Sequence, residues 1–139
     1  MSQGICVWLV ILASARVLSS QTKPPLKYVQ PENVSAAKAP EMFRTYCAVC
    51  HGSDGRGGGP AADALKKRPA DLTQLARKNG GKFPALHVAN VVDGNGLEGA
   101  HGSRDMPIWG NVFRTLGDRN TVKMRVDNLT AYVESLQRK

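Results

Sequence analysis

Cysteine is scarce in this chain of 139 residues, and its three cysteines are poorly placed for cross-linking. Cys6 lies in an apolar run near the N-terminus, while Cys47 and Cys50 stand within one helical turn of each other. This arrangement excludes the framework of several disulfides on which many small exported domains depend. The length predicts one domain with a small core, and such a core needs another source of stability.

Long apolar runs are missing as well. The run ICVWLVILA, over residues 5–13, is well short of the roughly 20 residues that cross a bilayer. It is followed by a small-x-small site that ends at Ala15, which is the layout of a secretory signal peptide, although no Lys or Arg precedes the run. We therefore predict a signal peptide over residues 1–20, cleaved near Ala15 or Ser20, and a periplasmic protein. Anchoring by an uncleaved leader is the alternative.

Acidic residues are outnumbered by basic ones, eleven against nineteen, which leaves a formal net charge of +8. The basic residues are scattered and few aromatic residues lie among them, a pattern that argues against nucleic acid as a partner. A positive surface favours proteins with acidic faces, or brief contact with an anionic membrane surface.

No stretch alternates apolar and polar residues as a strand does, and no hairpin signal is present. The predicted fold class is therefore all-α, with long loops. Residues 21–39 are polar and contain three prolines, and we predict that they form an extended N-terminal tail. Residues 40–139 are predicted to form the folded domain.

The first predicted helix begins at Pro40, because proline suits the first position of a helix. Its apolar face consists of Phe43, Tyr46, Cys47 and Cys50, which recur at i, i+3, i+4 and i+7. Both thiols are therefore expected to point towards the apolar side of the helix.

Four further helices are predicted: 61–67, 72–78 capped by Asp71, 85–92, and 120–137 capped by Asn120. The last one is the clearest, because its apolar residues follow the spacing of one helical face. These residues are Val122, Val126, Leu129, Val133 and Leu136. Glycine-rich loops are predicted over residues 52–59 and 93–111.

The pentapeptide CAVCH, over residues 47–51, has three interpretations. A redox disulfide of the thioredoxin kind expects a βαβ setting, which the sequence lacks. A zinc site needs further ligands, such as His87 or His101, and leaves His51 without a role. Covalent attachment of haem c explains all three side chains, because two thiols add to two vinyl groups and the next residue then lies beneath the iron. We expect one haem c bound through Cys47 and Cys50, with His51 as an iron ligand.

A second iron ligand is predicted at Met106. Met42 and Met124 lie on predicted helices, where core packing is expected, whereas Met106 lies in a glycine-rich loop. Pro107 fixes the backbone that follows it and so helps to hold an extended loop in place. His101, in the same loop, is the alternative ligand.

The segments MFRTYCAVCHGSDGRGGGPAADAL, DMPIWGNVF and VDNLTAYVESL together resemble the class I c-type cytochromes of the small, bacterial, single-haem kind. The resemblance runs from about residue 36 to the C-terminus. It implies a cytochrome c fold, in which the N- and C-terminal helices cross near Phe43 and Tyr132 and short helices and long loops surround one haem c. Ala39 stands where the family often has glycine, which affects only how closely those helices approach.

The same resemblance implies roles for individual residues. The carbonyl of Pro60 would accept a hydrogen bond from His51, and Met106 would supply the distal sulfur. Trp109 would pack near the haem and donate its indole N–H to a propionate. Arg56 and Arg104 are candidates for neutralising propionates, although exposure to solvent is the expectation for each.

Haem c with two protein ligands implies electron transfer rather than enzymatic catalysis, because no position on the iron is vacant for a substrate. The expected function is that of a soluble one-electron carrier in a periplasmic respiratory chain, with redox proteins as partners. Two alternatives stay open. One is a haem-bearing subunit of a periplasmic dehydrogenase, and the other is a haem enzyme or gas sensor with an open sixth position.

Overall fold

The computed structural model describes residues 31–95 and 106–138. These residues form helices and loops and contain no strand, so the all-α prediction is confirmed for this part of the chain. The helices are α1 (Ala39–Met42), α2 (Ala48–His51), α3 (Leu75–Lys78), α4 (Ala85–Asp93), α5 (Trp109–Leu116) and α6 (Arg119–Ser135). Short 3₁₀ turns occur at Ala62–Ala64 and Leu72–Gln74.

A π-helical turn over Phe43–Cys47 joins α1 to α2, so the predicted first helix runs from Ala39 to His51 with a wider turn in its middle. Pro40 lies in the first turn of α1, as predicted. Phe43 and Tyr46 are buried. Such π turns are rare in proteins, and those that occur are often found at functional sites. Here the turn ends at the first residue of the CAVCH motif.

Helix α6 packs against α1, α4 and α5 through the apolar face that the sequence predicts. Its N-cap is Asp118, whose carboxylate accepts a hydrogen bond from the Thr121 N–H, so the prediction of Asn120 as the cap is wrong by two residues. The rings of Phe43 and Tyr132 lie 5.2 Å apart, which places the first and last helices in contact where the resemblance implies it.

Helix α5 was not predicted, because its residues were assigned to a loop and a connecting segment. Trp109, Phe113 and Leu116 nevertheless recur at i, i+4 and i+7 on the face that packs on the core. Gly110 obscures this pattern, since glycine is unfavourable in a helix. A Cβ at position 110 would lie 2.3 Å from the carbonyl oxygen of Asp93, so the glycine is needed for the close approach of α4 and α5.

The predicted helices at 72–78 and 85–92 are confirmed with small changes. Asp71 caps the first one and accepts a hydrogen bond from Thr73 N–H, and Gly94 ends the second in a left-handed conformation with φ of 89°. The predicted helix at 61–67 is wrong, since only the turn Ala62–Ala64 is helical. Leu65 is extended there, which ends the helical turn directly after Ala64.

The last residues of the predicted N-terminal tail pack on the domain. Val34 and Ala36 are buried, and the Val34 N–H donates to the Tyr46 hydroxyl at 3.0 Å. That hydroxyl donates in turn to the carbonyl of Glu32 at 2.6 Å. The Asn128 side chain donates to the carbonyl of Ala36 at 2.8 Å. We call residues 32–36 the N-terminal strap, and its packing shows that the folded domain includes residues before residue 40.

Among the residues that the structure describes, none of the helices has the length and apolar composition needed to span a membrane. The predicted signal peptide, residues 1–20, lies outside them.

Candidate cofactor site

The two thiols of the CAVCH motif lie on consecutive turns of the first helix. Cys47 ends the π turn and Cys50 lies in α2, and both are half-buried and unpaired. Burial raises the pKa of the Cys47 thiol to about 12, and the neighbouring Cys50 adds to the effect. Both thiols of the motif are therefore free, and Cys47 packs against the hydrophobic core as the sequence predicts.

The glycine-rich loop folds back on the motif and holds its backbone. The N–H of Gly59 donates to the carbonyl of Cys50 at 3.0 Å, and the N–H of Gly57 donates to the carbonyl of His51 at 2.7 Å. A Cβ at position 59 would lie 2.5 Å from the carbonyl oxygens of both Ala48 and Val49. The loop thus satisfies the carbonyls at the end of α2 that have no partner within the helix.

His51 is held by a hydrogen bond between its Nδ1 and the carbonyl oxygen of Ala70, which are 3.0 Å apart. The carbonyl can only accept, so Nδ1 carries the proton and Nε2 keeps its lone pair. Burial lowers the pKa of His51 below its ordinary value, and the hydrogen bond to Ala70 opposes this in part. Backbone carbonyls commonly hold metal-binding histidines in this tautomer, in which one ring nitrogen donates to the carbonyl and the other is left for the metal.

The partner of His51 is Ala70, whereas the resemblance implied Pro60. The difference follows from how the chain crosses the glycine-rich loop. The Leu72 N–H donates to the carbonyl of Gly55 at 2.8 Å, and a Cβ at Gly57 would lie 2.3 Å from the carbonyl oxygen of Pro69. These contacts bring the segment before Leu72 over the motif. Pro60 is exposed, at the far end of the loop.

An aromatic cluster adjoins the motif on the core side. Trp109 is half-buried, and its ring lies 5.2 Å from that of Tyr46 and 5.8 Å from that of Phe113. Tyr46 directly precedes Cys47 in the chain. Trp109 thus packs on the core beside Tyr46, while its predicted position near a haem and its contact with a propionate stay predictions.

Met106 is half-buried and is followed by the exposed residues Pro107 and Ile108, directly before α5. Residues 96–105, with His101 and Arg104, lie outside the described part of the chain. Whether Met106 or His101 binds the iron therefore stays a prediction.

The methionines at positions 42 and 124 differ in how far they are buried. Met42 is fully buried, as predicted, whereas Met124 is 50% exposed, so the expectation of core packing for Met124 is wrong. Met124 lies between Lys123 and Arg125 on α6, and only the latter turns inwards. Arg56 is exposed and forms a 3.4 Å ion pair with Asp54, as expected of a solvated arginine.

Two residues near the site had no clear role in the sequence. Ala70 carries no side-chain signal, because only its carbonyl is used. Arg125 could have been recognised, since it lies three residues after Val122 and four before Leu129, on the buried face of α6. It is 2% exposed, which is unusual for an arginine.

A zinc site is not assembled within residues 31–95 and 106–138, where no group of three or more His, Cys, Asp or Glu side chains could hold a metal ion. His87 is exposed on α4. The donor set at residues 47–51 consists of two free thiols and an imidazole whose Nδ1 is tied to a carbonyl, and this set is compatible with haem c. No family model matches this chain, and no curated protein or solved structure gives a match.

Proposed function

We propose that this protein is a one-electron carrier that holds one haem c at residues 47–51 and works in the periplasm. The observation that supports it best is the orientation of His51, whose Nδ1 is bound to the carbonyl of Ala70. This bond leaves Nε2 as the only ring nitrogen that can donate a lone pair to a metal. The same residue follows two free thiols in the order that haem c attachment requires.

Cys47 and Cys50 would make the covalent links. Each thiol would add its sulfur and its hydrogen across one vinyl double bond, so that a carbon–sulfur and a carbon–hydrogen bond form and nothing leaves. Burial raises the pKa of the Cys47 thiol to about 12, so this thiol is protonated and a poor nucleophile in the folded chain.

His51 would bind the iron on one side, and the carbonyl of Ala70 would keep the imidazole electron-rich and correctly oriented. Met106 would supply a thioether sulfur on the other side, and Pro107 restricts the backbone next to it. When bound, haem c supplies a one-electron couple between Fe(III) and Fe(II), and methionine ligation raises its potential. With both positions filled by protein, the site would favour electron transfer over the binding of a substrate.

Partners are inferred from charge. The net charge of +8 favours redox proteins with acidic docking faces, and it favours encounters that weaken as salt is added. A free carrier and a subunit of a periplasmic dehydrogenase share this chemistry. Gel filtration of native extract separates them, because a free carrier elutes near the mass of one processed chain, which is below the 15.0 kDa of the full sequence.

The deciding experiment is a spectrum of the protein purified from a host that attaches haem c. We expect a mass that exceeds the polypeptide by one haem, a reduced spectrum of haem c, and a far-red sulfur-to-iron band in the oxidised protein. A colourless product of polypeptide mass would overturn the proposal. Rapid binding of carbon monoxide to the ferrous protein at neutral pH would instead favour the haem enzyme or gas sensor.

A further inference from the structure

Arg125 is a buried cation without an acidic partner. It is 2% exposed, and in the described part of the chain no carboxylate forms an ion pair with it. Its guanidinium donates to two neutral oxygens of the N-terminal strap, the carbonyl of Val34 at 2.5 Å and the side-chain oxygen of Asn33 at 2.7 Å. Its Nε atom is buried and has no hydrogen-bond partner.

The remaining neighbours of Arg125 are apolar. The guanidinium carbon lies 5.6 Å from the centre of the Phe113 ring, and Nη1 lies 3.7 Å from the sulfur of Met42. Burying an ion in such surroundings is costly unless it is paired, and a guanidinium cannot avoid the cost by losing its proton. A neutral glutamine could donate hydrogen bonds to the same two oxygens. Anchoring the strap therefore does not by itself explain a positive charge at this position.

The neighbours of Arg125 connect it to the proposed haem site. Met42 lies on the first helix five residues before Cys47, with only the π turn between them. Phe113 lies 5.4 Å, ring to ring, from Tyr46, which directly precedes Cys47. The medium between the cation and the attachment site thus consists of buried apolar and aromatic side chains, which screen a charge much less than water does.

We infer that Arg125 raises the reduction potential of the haem that the proposed function places at residues 47–51, an inference that depends on that function. A fixed positive charge disfavours the ferric state, which carries one more positive charge than the ferrous state. As a guide to magnitude, a unit charge roughly 15 Å from a redox centre at an effective dielectric constant of about 20 shifts the ratio of oxidised to reduced centre about sixfold at a fixed applied potential. Because the charge is buried, added salt screens this effect only weakly.

The test is the midpoint potential of Arg125→Met, measured by spectroelectrochemistry at low and at high ionic strength. We expect a lower potential, equivalent to about a sixfold change in the ferric to ferrous ratio, of similar size at both salt concentrations. The far-red band and the reduced spectrum of haem c should be unchanged, which shows that the iron ligands are intact. Arg125→Gln, which keeps hydrogen-bond donors for the strap, should give the same shift.

Two controls separate charge from structure. Asn33→Ala weakens the strap but keeps the cation, and Arg125→Lys keeps a cation with fewer donors, so both should retain the wild-type potential. Equal shifts in Asn33→Ala and Arg125→Met, or no shift in Arg125→Met, would show that Arg125 only anchors the strap. Failure of both neutral variants to fold, with Arg125→Lys folded, would count against the inference in the same way. A wild-type protein without haem contradicts the proposed function itself and is recognised before any potential is measured.

Discussion

Tyr46 links three parts of the molecule through one side chain. Its ring packs against Trp109 and Phe113, its hydroxyl binds the N-terminal strap, and its backbone leads directly into Cys47. The hydroxyl both accepts from the Val34 N–H and donates to the carbonyl of Glu32, so removing it leaves two strap atoms without their partner.

Tyr46→Phe should therefore lower the free energy of unfolding by about 1–3 kcal/mol, because a buried N–H then lacks an acceptor. Urea unfolding of the haem-loaded protein measures the change. Tyr132→Phe is the matched control, since its ring contact with Phe43 is retained, and we expect a smaller effect. Equal losses in the two variants would show that the strap contributes nothing specific through Tyr46.

Met106 and Met124 provide a second comparison at single residues. Met106→Ala should allow the ferrous protein to bind carbon monoxide, abolish the far-red band and lower the reduction potential, because the proposed thioether ligand is lost. Met124 is 50% exposed on α6, so Met124→Ala should leave all three properties unchanged. Met42 is unsuitable as a control, since it is fully buried and its truncation should cost about 2–5 kcal/mol of stability. If the variants at 106 and 124 behave alike, the ligand is another residue.

At the scale of elements, the glycine-rich loop packs closely against the backbone of the CAVCH motif. Its glycines therefore allow this close contact and do not serve chain flexibility alone. Two adjacent glycines in it have opposite surroundings. A Cβ at Gly58 would have no atom within 4 Å, whereas a Cβ at Gly59 would lie 2.5 Å from two carbonyl oxygens of the motif helix.

Gly59→Ala should destabilise the protein by about 1–3 kcal/mol, because main-chain atoms have to move to accommodate the methyl group. Gly58→Ala should be neutral or slightly stabilising, since the methyl group meets open space and the unfolded chain loses conformational freedom. Thermal unfolding of the two variants under identical conditions gives the comparison. Similar melting temperatures for the two would mean that the loop does not pack on the motif as described.

The cap of α6 provides a pH-dependent contribution to stability. A backbone hydrogen bond from Thr121 is the main reason why the pKa of Asp118 is below its ordinary value. The folded state therefore favours the carboxylate, and its contribution is present above the unfolded pKa and is lost as the pH falls through the lowered folded value. Asp118→Asn keeps a capping oxygen but removes the titrating group.

We expect the stability of the wild type relative to Asp118→Asn to decrease as the pH falls from about 6 to about 3, below the ordinary range of an aspartate. Urea unfolding at several pH values measures this difference, and the same experiment at high salt shows whether it survives screening. A difference that is independent of pH would show that the cap acts only as a neutral hydrogen-bond acceptor.

The elements that the sequence predicted are those whose signals are local. The spacing of Val122, Val126 and Leu129 predicted α6, and the capping residue Asp71 and the stop at Gly94 predicted two short helices. Features that depend on distant backbone contacts were not predictable in this way. Helix α5 was obscured by a glycine that is needed only because Asp93 approaches it, and the partner of His51 is a carbonyl nineteen residues away.

The candidate site likewise contains features that the local sequence predicts and features that depend on distant contacts. The order of two cysteines and a histidine is visible in the sequence, so sequence alone identifies the two thiols and the imidazole of the candidate site. Burial of Arg125 depends on the strap folding back across α6, a contact between residues 91 positions apart. Helical periodicity places Arg125 on the apolar face of α6. It does not indicate which neutral oxygens accept the hydrogen bonds of the guanidinium.

For the whole molecule, the excess of basic residues predicts how salt changes the rate of the proposed electron exchange with charged reagents. The formal net charge is +8, so an anionic oxidant is attracted and a cationic one is repelled before any contact occurs. Oxidation of the reduced protein by ferricyanide should slow as the ionic strength rises from about 10 mM to about 150 mM, because the screening length falls from about 30 Å to about 8 Å. Oxidation by a cationic cobalt(III) complex should accelerate over the same range.

Stopped-flow measurement of both rates provides the check, each reagent serving as the control for the other. Rates that respond to salt in the same direction for both reagents would show that the net charge does not steer the encounter, and docking on acidic partners would then need another explanation.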